Sequence, residues 1–209
     1  MPWTGDEFSG GSLDPQWEWV NQGGATASVA NGQLNITAPS SGVENLRILK
    51  QDYTGNLIVT AVVSGLSEGF SDYQGWGIVV GDSSTGRYLL FQWAVSAGAG
   101  GPLLVCNRYS SPTAFNAAQL TSRLADMGGY LQIEDDGTDL IFRVARFQSQ
   151  GDGGALTFQE VYREARATYL TGGPDQIGYS LNAFNADAVL LSRWVRTGTP
   201  VEDEEVVLP

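Results

Sequence analysis

The stretch GYLQIEDDGTDLIFRVARF, residues 129–147, has the pattern of two β-strands joined by a tight turn. Apolar residues alternate with polar ones on both sides of the pair Asp136-Gly137. Because successive side chains of a strand point to opposite faces, this alternation predicts strands with one buried face. Asp-Gly is a preferred two-residue hairpin turn, since glycine readily adopts a positive φ. The stretch therefore predicts an antiparallel β-hairpin.

The same pattern recurs along almost the whole chain. Asn31-Gly32 separates two further alternating runs, and the loop from Asp82 to Gly86 joins another pair. The 27 glycines and 8 prolines are spread between the runs as turn residues. The predicted strands lie near residues 17–22, 26–30, 33–38, 45–50, 56–66, 74–81, 87–95, 102–109, 129–135, 139–147, 157–163, 175–182 and 188–196. We expect an all-β protein in which antiparallel pairing dominates.

Two segments are ambiguous. Residues 111–127 carry Ala, Leu and Met at helical spacing, which predicts one short helix there. Residues 157–170 fit a helix, but they fit a strand followed by a loop equally well, and the pattern leaves that choice open.

Length and composition predict a single domain. With 209 residues, of which 42% are hydrophobic and 11% aromatic, the chain can bury one substantial core. We expect that domain to occupy residues 1–198. Residues 199–209 contain four consecutive acidic residues, which predicts a solvated C-terminal tail. Docking of this tail on a neighbouring molecule is the alternative.

Charge and segment composition limit the partners and the location. The formal net charge of −12 repels phosphate backbones and anionic lipid, so we expect neither nucleic acid nor a membrane as partner. The start MPWTGDEF lacks the basic and apolar regions of a secretion signal. The one cysteine, Cys106, lies in the run LLVCN and is expected to be a buried thiol without chemistry.

The residue types present leave little room for catalysis. The chain has no histidine, which excludes Ser-His-Asp and Cys-His mechanisms and the commonest zinc ligand sets. Retaining glycosidases need two carboxylates about 5–5.5 Å apart. The acidic residues nearest to such a pattern lie in a predicted turn, on the ambiguous segment, or in the tail: Glu134, Asp135 and Asp136; Glu160 and Glu164; and 202–205. We therefore expect no enzyme and name no catalytic residue.

Four stretches in the first half resemble a known group of modules. They are DEFSGGSLDPQWEWVNQ (6–22), NGQLNITAP (31–39), ILKQDYTGNLIVTAVV (48–63) and DYQGWGIVVGD (72–82). Together they resemble concanavalin A-like sandwiches found at the C-termini of family 43 glycoside hydrolases and in stand-alone domains. The matching residues are Asp6, Phe8, Leu13, Asp14, Trp17, Trp19, Gly32, Leu34, Ile36, Gly55, Leu57, Tyr73 and Gly77.

The resemblance implies a two-sheet antiparallel jelly roll with one concave face. A carbohydrate ligand would lie across that face or at its edge. Glucanases on this fold carry E-x-D-x-x-E or E-x-D-x-E on one strand, and this chain has neither spacing. No cofactor is implied, although related sandwiches often hold a structural calcium, for which Asp6, Asp14 and Asp187 are available.

Strand alternation also sorts side chains by face. Trp76, Ile78 and Val80 share a predicted core face, so Gly75 and Gly77 turn to the other side and leave a floor without side chains. A polar and partly aromatic set is predicted to face outward and to bind a ligand: Tyr88, Gln92, Arg108, Tyr130, Gln132 and Arg143. For Arg108 either face is compatible with the pattern. The alternative is that this set is ordinary sandwich exterior.

These observations predict a module that binds or decorates. We expect a structural or adhesive protein on the surface of a virus particle, such as a bacteriophage head decoration, fibre or tail component. Its partners would be other virion proteins or a surface glycan, within a larger assembly. The alternatives are a stand-alone carbohydrate-binding module and a degenerate glycoside hydrolase.

Overall fold

Two antiparallel β-sheets of seven strands each form the described part of the computed structural model, residues 6–67, 73–123, 128–146 and 157–198. The strands are β1 (Glu18–Val20), β2 (Thr26–Ala30), β3 (Gln33–Ala38), β4 (Leu46–Asp52), β5 (Leu57–Ser67), β6 (Gln74–Asp82), β7 (Arg87–Ser96), β8 (Gly101–Ser111), β9 (Ala114–Arg123), β10 (Gly129–Asp135), β11 (Asp139–Arg146), β12 (Gln159–Ala165), β13 (Gln176–Ala183) and β14 (Ala188–Gly198). A short 3-10 turn covers Ala97–Ala99. The all-β prediction is confirmed.

The order of strands defines two sheets that we call front and back. The front sheet runs β1-β4-β13-β6-β7-β8-β9, and the back sheet runs β12-β11-β10-β5-β14-β3-β2. Each pairing is antiparallel, and the predicted hairpins β2–β3, β6–β7 and β10–β11 are all present. Asn31 and Gly32 both have positive φ, 55° and 70°, as the predicted tight hairpin turn requires. The predicted two-sheet jelly-roll sandwich is confirmed.

The predicted helix within 111–127 is wrong. Residues 114–123 form β9, which pairs with β8 along its length, and 124–127 lie outside the described residues. Alanine and leucine at helical spacing are a weak preference, and pairing with a neighbouring strand overrides it. In the second ambiguous segment the strand alternative holds, since β12 ends at Ala165 and a turn follows.

The main core lies between the two sheets. Trp76, Ile78 and Val80 face inward as predicted, and they pack with Phe91 and Trp93 of the next strand. These side chains are at most 1% exposed. Since burial of apolar surface is the dominant favourable term in folding, this layer holds the two sheets together.

The opening D-x-F and W-x-W residues anchor the first strand. Asp6 accepts hydrogen bonds from the backbone N–H of Phe8 at 2.7 Å and from Nε1 of Trp17 at 3.1 Å. The Phe8 and Trp17 rings then lie 6.2 and 5.6 Å from the ring of Tyr179. Trp19 is half-buried against the same core. These residues tie the chain's start to β13.

The single cysteine is buried, as predicted. Cys106 is 0% exposed on the inner side of β8, and burial raises the pKa of its thiol well above the usual value. We expect a thiol reagent to leave the folded protein unmodified at pH 8 and to label one cysteine after unfolding in guanidinium chloride. A Thr121→Cys variant, at an exposed position of β9, supplies the reactive control. Rapid labelling of the folded native sequence would contradict the buried position.

The described residues contain no helix of the length and apolar character needed to cross a membrane. Residues 199–209, where an acidic tail is predicted, lie outside the described residues. The division at residue 198 stays a prediction.

Candidate functional site

Two diagonal corners of the front sheet curl over its outer face and meet there. The backbone N–H of Leu46, at the start of β4, donates to the carbonyl oxygen of Pro112, just beyond β8, at 2.9 Å. Three strands separate β4 from β8 in the sheet. Adjacent strands rotate by roughly 20–25°, so diagonal corners of a wide sheet curl towards each other. Here the two corners meet over the outer face and make it concave.

A side-chain contact fastens the same two corners. The hydroxyl of Tyr109, near the end of β8, donates to Oε2 of Glu44 at 2.8 Å. Asn182 of β13 donates to the same carboxylate oxygen, also at 2.8 Å. Tyr109 is fully buried, and Phe115 of β9 packs edge-on against it at 5.5 Å between ring centres. We call this contact, Glu44 with Tyr109 and Asn182, the corner latch.

Beneath the corner latch the sheet carries a second hydrophobic core. Its members come from four strands of the front sheet, and each is at most 5% exposed: Leu46, Ile48, Val79, Tyr88, Leu90 and Tyr109. Outward-facing residues of an exposed sheet would be polar. The concave face is therefore packed with apolar side chains from the sheet itself and does not form an open groove at this point.

Polar side chains fill the rest of the concave face. Gln92 is 0% exposed and donates through Nε2 to Oγ of Ser180 at 2.9 Å, while its Oε1 lies 3.3 Å from the hydroxyl of Tyr73. Asn107 donates to the same hydroxyl at 3.1 Å. Gly75 turns away from the main core, as predicted, but a Cβ there would lie 2.7 Å from Oε1 of Gln92. The predicted glycine floor is thus covered.

The structure distributes the six predicted ligand-binding residues over three places. Tyr88 and Gln92 are buried on the concave face, Arg108 is turned towards the space between the sheets, and three residues lie on the outer face of the back sheet: Tyr130, Gln132 and Arg143. Alternation predicts which way a side chain points relative to its own sheet, but it does not say which sheet. The six residues do not share one surface, and ligand binding by any of them stays a prediction.

Three of the predicted residues do form a cluster. Gln132 and Arg143 are cross-strand partners, and Nη1 of Arg143 donates to Oε1 of Gln132 at 3.0 Å. Gln132 in turn donates to the hydroxyl of Thr60 at 2.9 Å, and Arg143 forms an ion pair with Glu134. Tyr130, two residues before Gln132 on β10, is half-buried. We call this cluster the back-sheet patch; Tyr130 and Arg143 are its partly exposed members, whereas Gln132 is only 7% exposed.

Arg108 belongs to a buried ion pair that joins the two sheets. Its guanidinium pairs with Glu164 of β12, which also accepts a hydrogen bond from the hydroxyl of Tyr162 at 2.7 Å. The guanidinium carbon lies 5.0 Å from the ring centre of Tyr169, within range of a cation–π contact. The side chain of Glu164 is only 5% exposed. Sequence reasoning missed this pair, although an arginine two residues after the apolar run LLVC was a usable signal.

The acidic residues considered for catalysis are engaged in structural contacts. Asp135 accepts from the hydroxyl of Tyr53 at 3.0 Å and from Nε of Arg166 at 2.8 Å. Asp136 accepts from the backbone of the hairpin turn, as its position there predicts, and Glu160 pairs with Arg163 at 2.8 Å. Residues 202–205 lie outside the described residues.

A further carboxylate fastens two loops at one end of the sandwich. Asp82 is 0% exposed, and its carboxylate accepts four hydrogen bonds, among them one of 2.7 Å from Oγ of Ser84 and one of 2.7 Å from the backbone N–H of Gly172. Burial alone would raise the pKa of Asp82, but the bonds from Ser84, Thr85 and Gly172 outweigh it, and the pKa lies below its usual value. The ionised form is therefore the one the fold stabilises.

We expect Asp82→Asn to lower the free energy of unfolding at pH 7 by about 2 kcal/mol, since a donating amide would face an N–H group. Because the pKa of Asp82 is lowered on folding, its contribution is present above the unfolded pKa, about 3.9, and is lost as the pH falls through the folded value. Urea unfolding from pH 7 to pH 3 measures this: the gap between the two proteins should narrow below about pH 4. A gap that is constant with pH would contradict the assignment.

The aspartates considered for calcium do not converge. Asp14 accepts from the backbone of Gln16 at 3.0 Å, Asp187 from the backbone of Ser40 at 2.8 Å, and Asp6 is bound as described above. Within residues 6–67, 73–123, 128–146 and 157–198, no group of three or more Asp, Glu, Cys or His side chains is placed to hold a metal ion. These aspartates do not fit the structural calcium site for which they were considered.

The two seven-stranded sheets and the curled concave face define a jelly-roll sandwich of the concanavalin A-like type. Solved structures with this fold include the GH43B protein of the Bacteroides ovatus xyloglucan PUL (TM-score 0.69, 11% identity), where 96% of this chain matches 40% of that one. A legume lectin-like domain from Entamoeba histolytica matches with TM-score 0.56 and 7% identity, covering 89% of this chain and 91% of that one.

A phage protein module has the same fold over its whole length. The CBM2 module of the evolved Dit of Lactobacillus casei BL23 phage J-1 matches with TM-score 0.54 and 13% identity, covering 95% of both chains. No protein-family model and no curated protein sequence matches this chain. At these identities the likeness establishes the fold alone.

Proposed function

We propose that this chain is a non-catalytic structural or adhesive component of a virus particle, such as a bacteriophage head decoration, fibre or tail component. The observation that carries the proposal is the closed concave face. On this fold an open concave face is where a ligand would lie, and here it holds a second hydrophobic core under the corner latch. The second core stabilises the fold and leaves no open groove at that point. A component of a particle surface requires such stability.

Two further observations support the proposal. The phage module described above matches this chain end to end, which supports a place on a particle. The buried carboxylates Asp82, Asp135 and Glu164 are each held by hydrogen bonds or ion pairs that stabilise the fold. Such groups act as structural ties, because removing one partner of a buried ion pair or hydrogen bond costs folding energy.

Purified particles from the source of this chain test the proposal. We expect quantitative mass spectrometry to find the chain at a fixed copy number per particle, and gold-labelled antibodies to bind the particle surface. Matched particles from a strain in which the coding sequence is deleted are the control for antibody specificity. Absence of the chain from purified particles would reject the proposal.

A carbohydrate-binding module is the second candidate, and the back-sheet patch favours it. Tyr130, Gln132 and Arg143 combine a ring face with hydrogen-bonding groups, as a sugar requires, and they lie outside the closed concave face. A glycan array should then show binding that Tyr130→Ala and Arg143→Ala remove, while Arg193→Ala, an exposed change elsewhere on the back sheet, leaves it intact. No binding across the array would leave an assembly role alone.

A degenerate glycoside hydrolase is the remaining alternative, and catalysis has its own test. Release of reducing sugar by purified protein, abolished by a single carboxylate substitution, would overturn the non-catalytic proposal.

A further inference from the structure

The sandwich is open at the side where β9 of the front sheet and β12 of the back sheet lie next to each other. A cleft of about 710 Å³ opens there between the two sheets. Leu104 and Leu120 line it from the front sheet, and Val144 and Val161 line it from the back sheet. Leu120, Val144 and Val161 are only partly buried, although they pack against the main core. Apolar surface of both sheets therefore stays accessible between them.

Strand β9 offers a pairing edge beside this cleft. Among the described strands it pairs only with β8, so its other side has no backbone partner in that part of the chain. Three register shifts bend its first half, but Leu120–Arg123 pairs regularly with Leu103–Cys106. The regular half is the half that lines the cleft. A regular strand with a free side is a template for another strand.

The described edge strands differ in how well they are protected. β1 has three residues and β2 has five, while β12 carries Glu160, Arg163 and Glu164. β9 has ten residues, with neither proline nor lysine, and its one charge is at its last position, Arg123. Natural sheets use short edge strands, charged residues and bulges to prevent pairing with another strand. The second half of β9 has no bulge, and its one charge, Arg123, is at its end.

We propose that an extended segment of a partner protein adds as a strand to the second half of β9 and places alternate apolar side chains in the cleft. Strand addition combines main-chain hydrogen bonds with pockets for every second side chain, and this edge and cleft supply both. The net charge of −12 favours a partner segment with basic residues at its ends. The inference rests on the proposed function, because a component of a larger assembly needs a surface of this kind.

A synthetic peptide tests the proposal directly. The probe has valine alternating with threonine between terminal lysines, with both ends capped. The control peptide has proline in place of each threonine, which removes every second main-chain N–H donor and disfavours pairing as a strand. In methyl NMR spectra of the full chain, the first peptide should shift the signals of Leu120, Val144 and Val161, and the control should bind at least about tenfold more weakly. Equal binding of both peptides, or no shift at about 1 mM, would overturn the proposal.

Two variants of β12 locate the site. Val161→Lys places a charge in the cleft and should weaken peptide binding by at least about tenfold, whereas Ala165→Lys, an exposed change on the same strand, should leave it unchanged. Thermal unfolding of both variants checks that they fold. If Val161→Lys does not fold, the proline peptide still decides the outcome. Peptide binding by a chain that is absent from particles would reject the proposed function and leave this inference standing.

Discussion

Replacement of Arg108 by methionine is expected to lower the free energy of unfolding by about 3 kcal/mol, because it leaves the buried carboxylate of Glu164 without its cation. Methionine keeps most of the side chain's apolar volume, so the loss comes from the charge. The hydroxyl of Tyr162 still donates to Glu164 and limits the loss. Urea unfolding at pH 7 and 25 °C measures the difference.

The control is the double variant Arg108→Met with Glu164→Leu, which removes both charges. Replacing a whole buried ion pair by apolar residues is often close to neutral, so the double variant should regain most of the lost stability. A double variant no more stable than the single one would show that Arg108 acts through packing, for example on Tyr169.

Replacement of Tyr109 by alanine is expected to lower the free energy of unfolding by about 4 kcal/mol, because it empties the centre of the second core and breaks the corner latch. The concave face would then expose apolar residues such as Ile48 and Leu90. A dye that fluoresces on apolar surface should bind the variant and not the native protein, and hydrogen exchange should quicken in β8 and β9 under native conditions.

Tyr109→Phe separates the two parts of this effect. It keeps the ring in the second core and removes only the hydroxyl that donates to Glu44, so the expected loss is about 1 kcal/mol and the dye should not bind. If alanine and phenylalanine had equal effects, the corner latch would depend on the hydrogen bond alone. If the alanine variant exchanged no faster in β8 and β9, the corners would be held together without Tyr109.

The hairpins could be predicted from the sequence because the residues that determine them are neighbours along the chain. Asn31, Gly32 and Gly137 all adopt a positive φ in their turns, and the alternating runs on either side specify the buried face. Strand β9 was missed because the local pattern there indicates a different structure. Its alanines and Leu120 fit a helix locally, and only pairing with β8 makes it a strand.

The candidate site was harder to predict from the sequence. Tyr88 and Tyr130 are both turned away from the main core, as alternation predicts, yet one is buried on the concave face and the other lies in the back-sheet patch. Arg108 was ambiguous because a shift of one residue in register moves a side chain to the opposite face. Its partner Glu164 is 56 residues away, on a segment whose structure the pattern left open.

Composition and periodicity alone were enough to predict an all-β protein, its inward tryptophans, its buried thiol and the lack of histidine chemistry, because each depends on residue type and spacing along the chain. The two-sheet sandwich was implied by the resemblance. The closed concave face, the ion pair between the sheets and the cleft beside β9 depend on how far seven strands twist relative to one another. That twist accumulates across the sheet and brings Leu46 to Pro112, a contact that spacing along the chain does not encode.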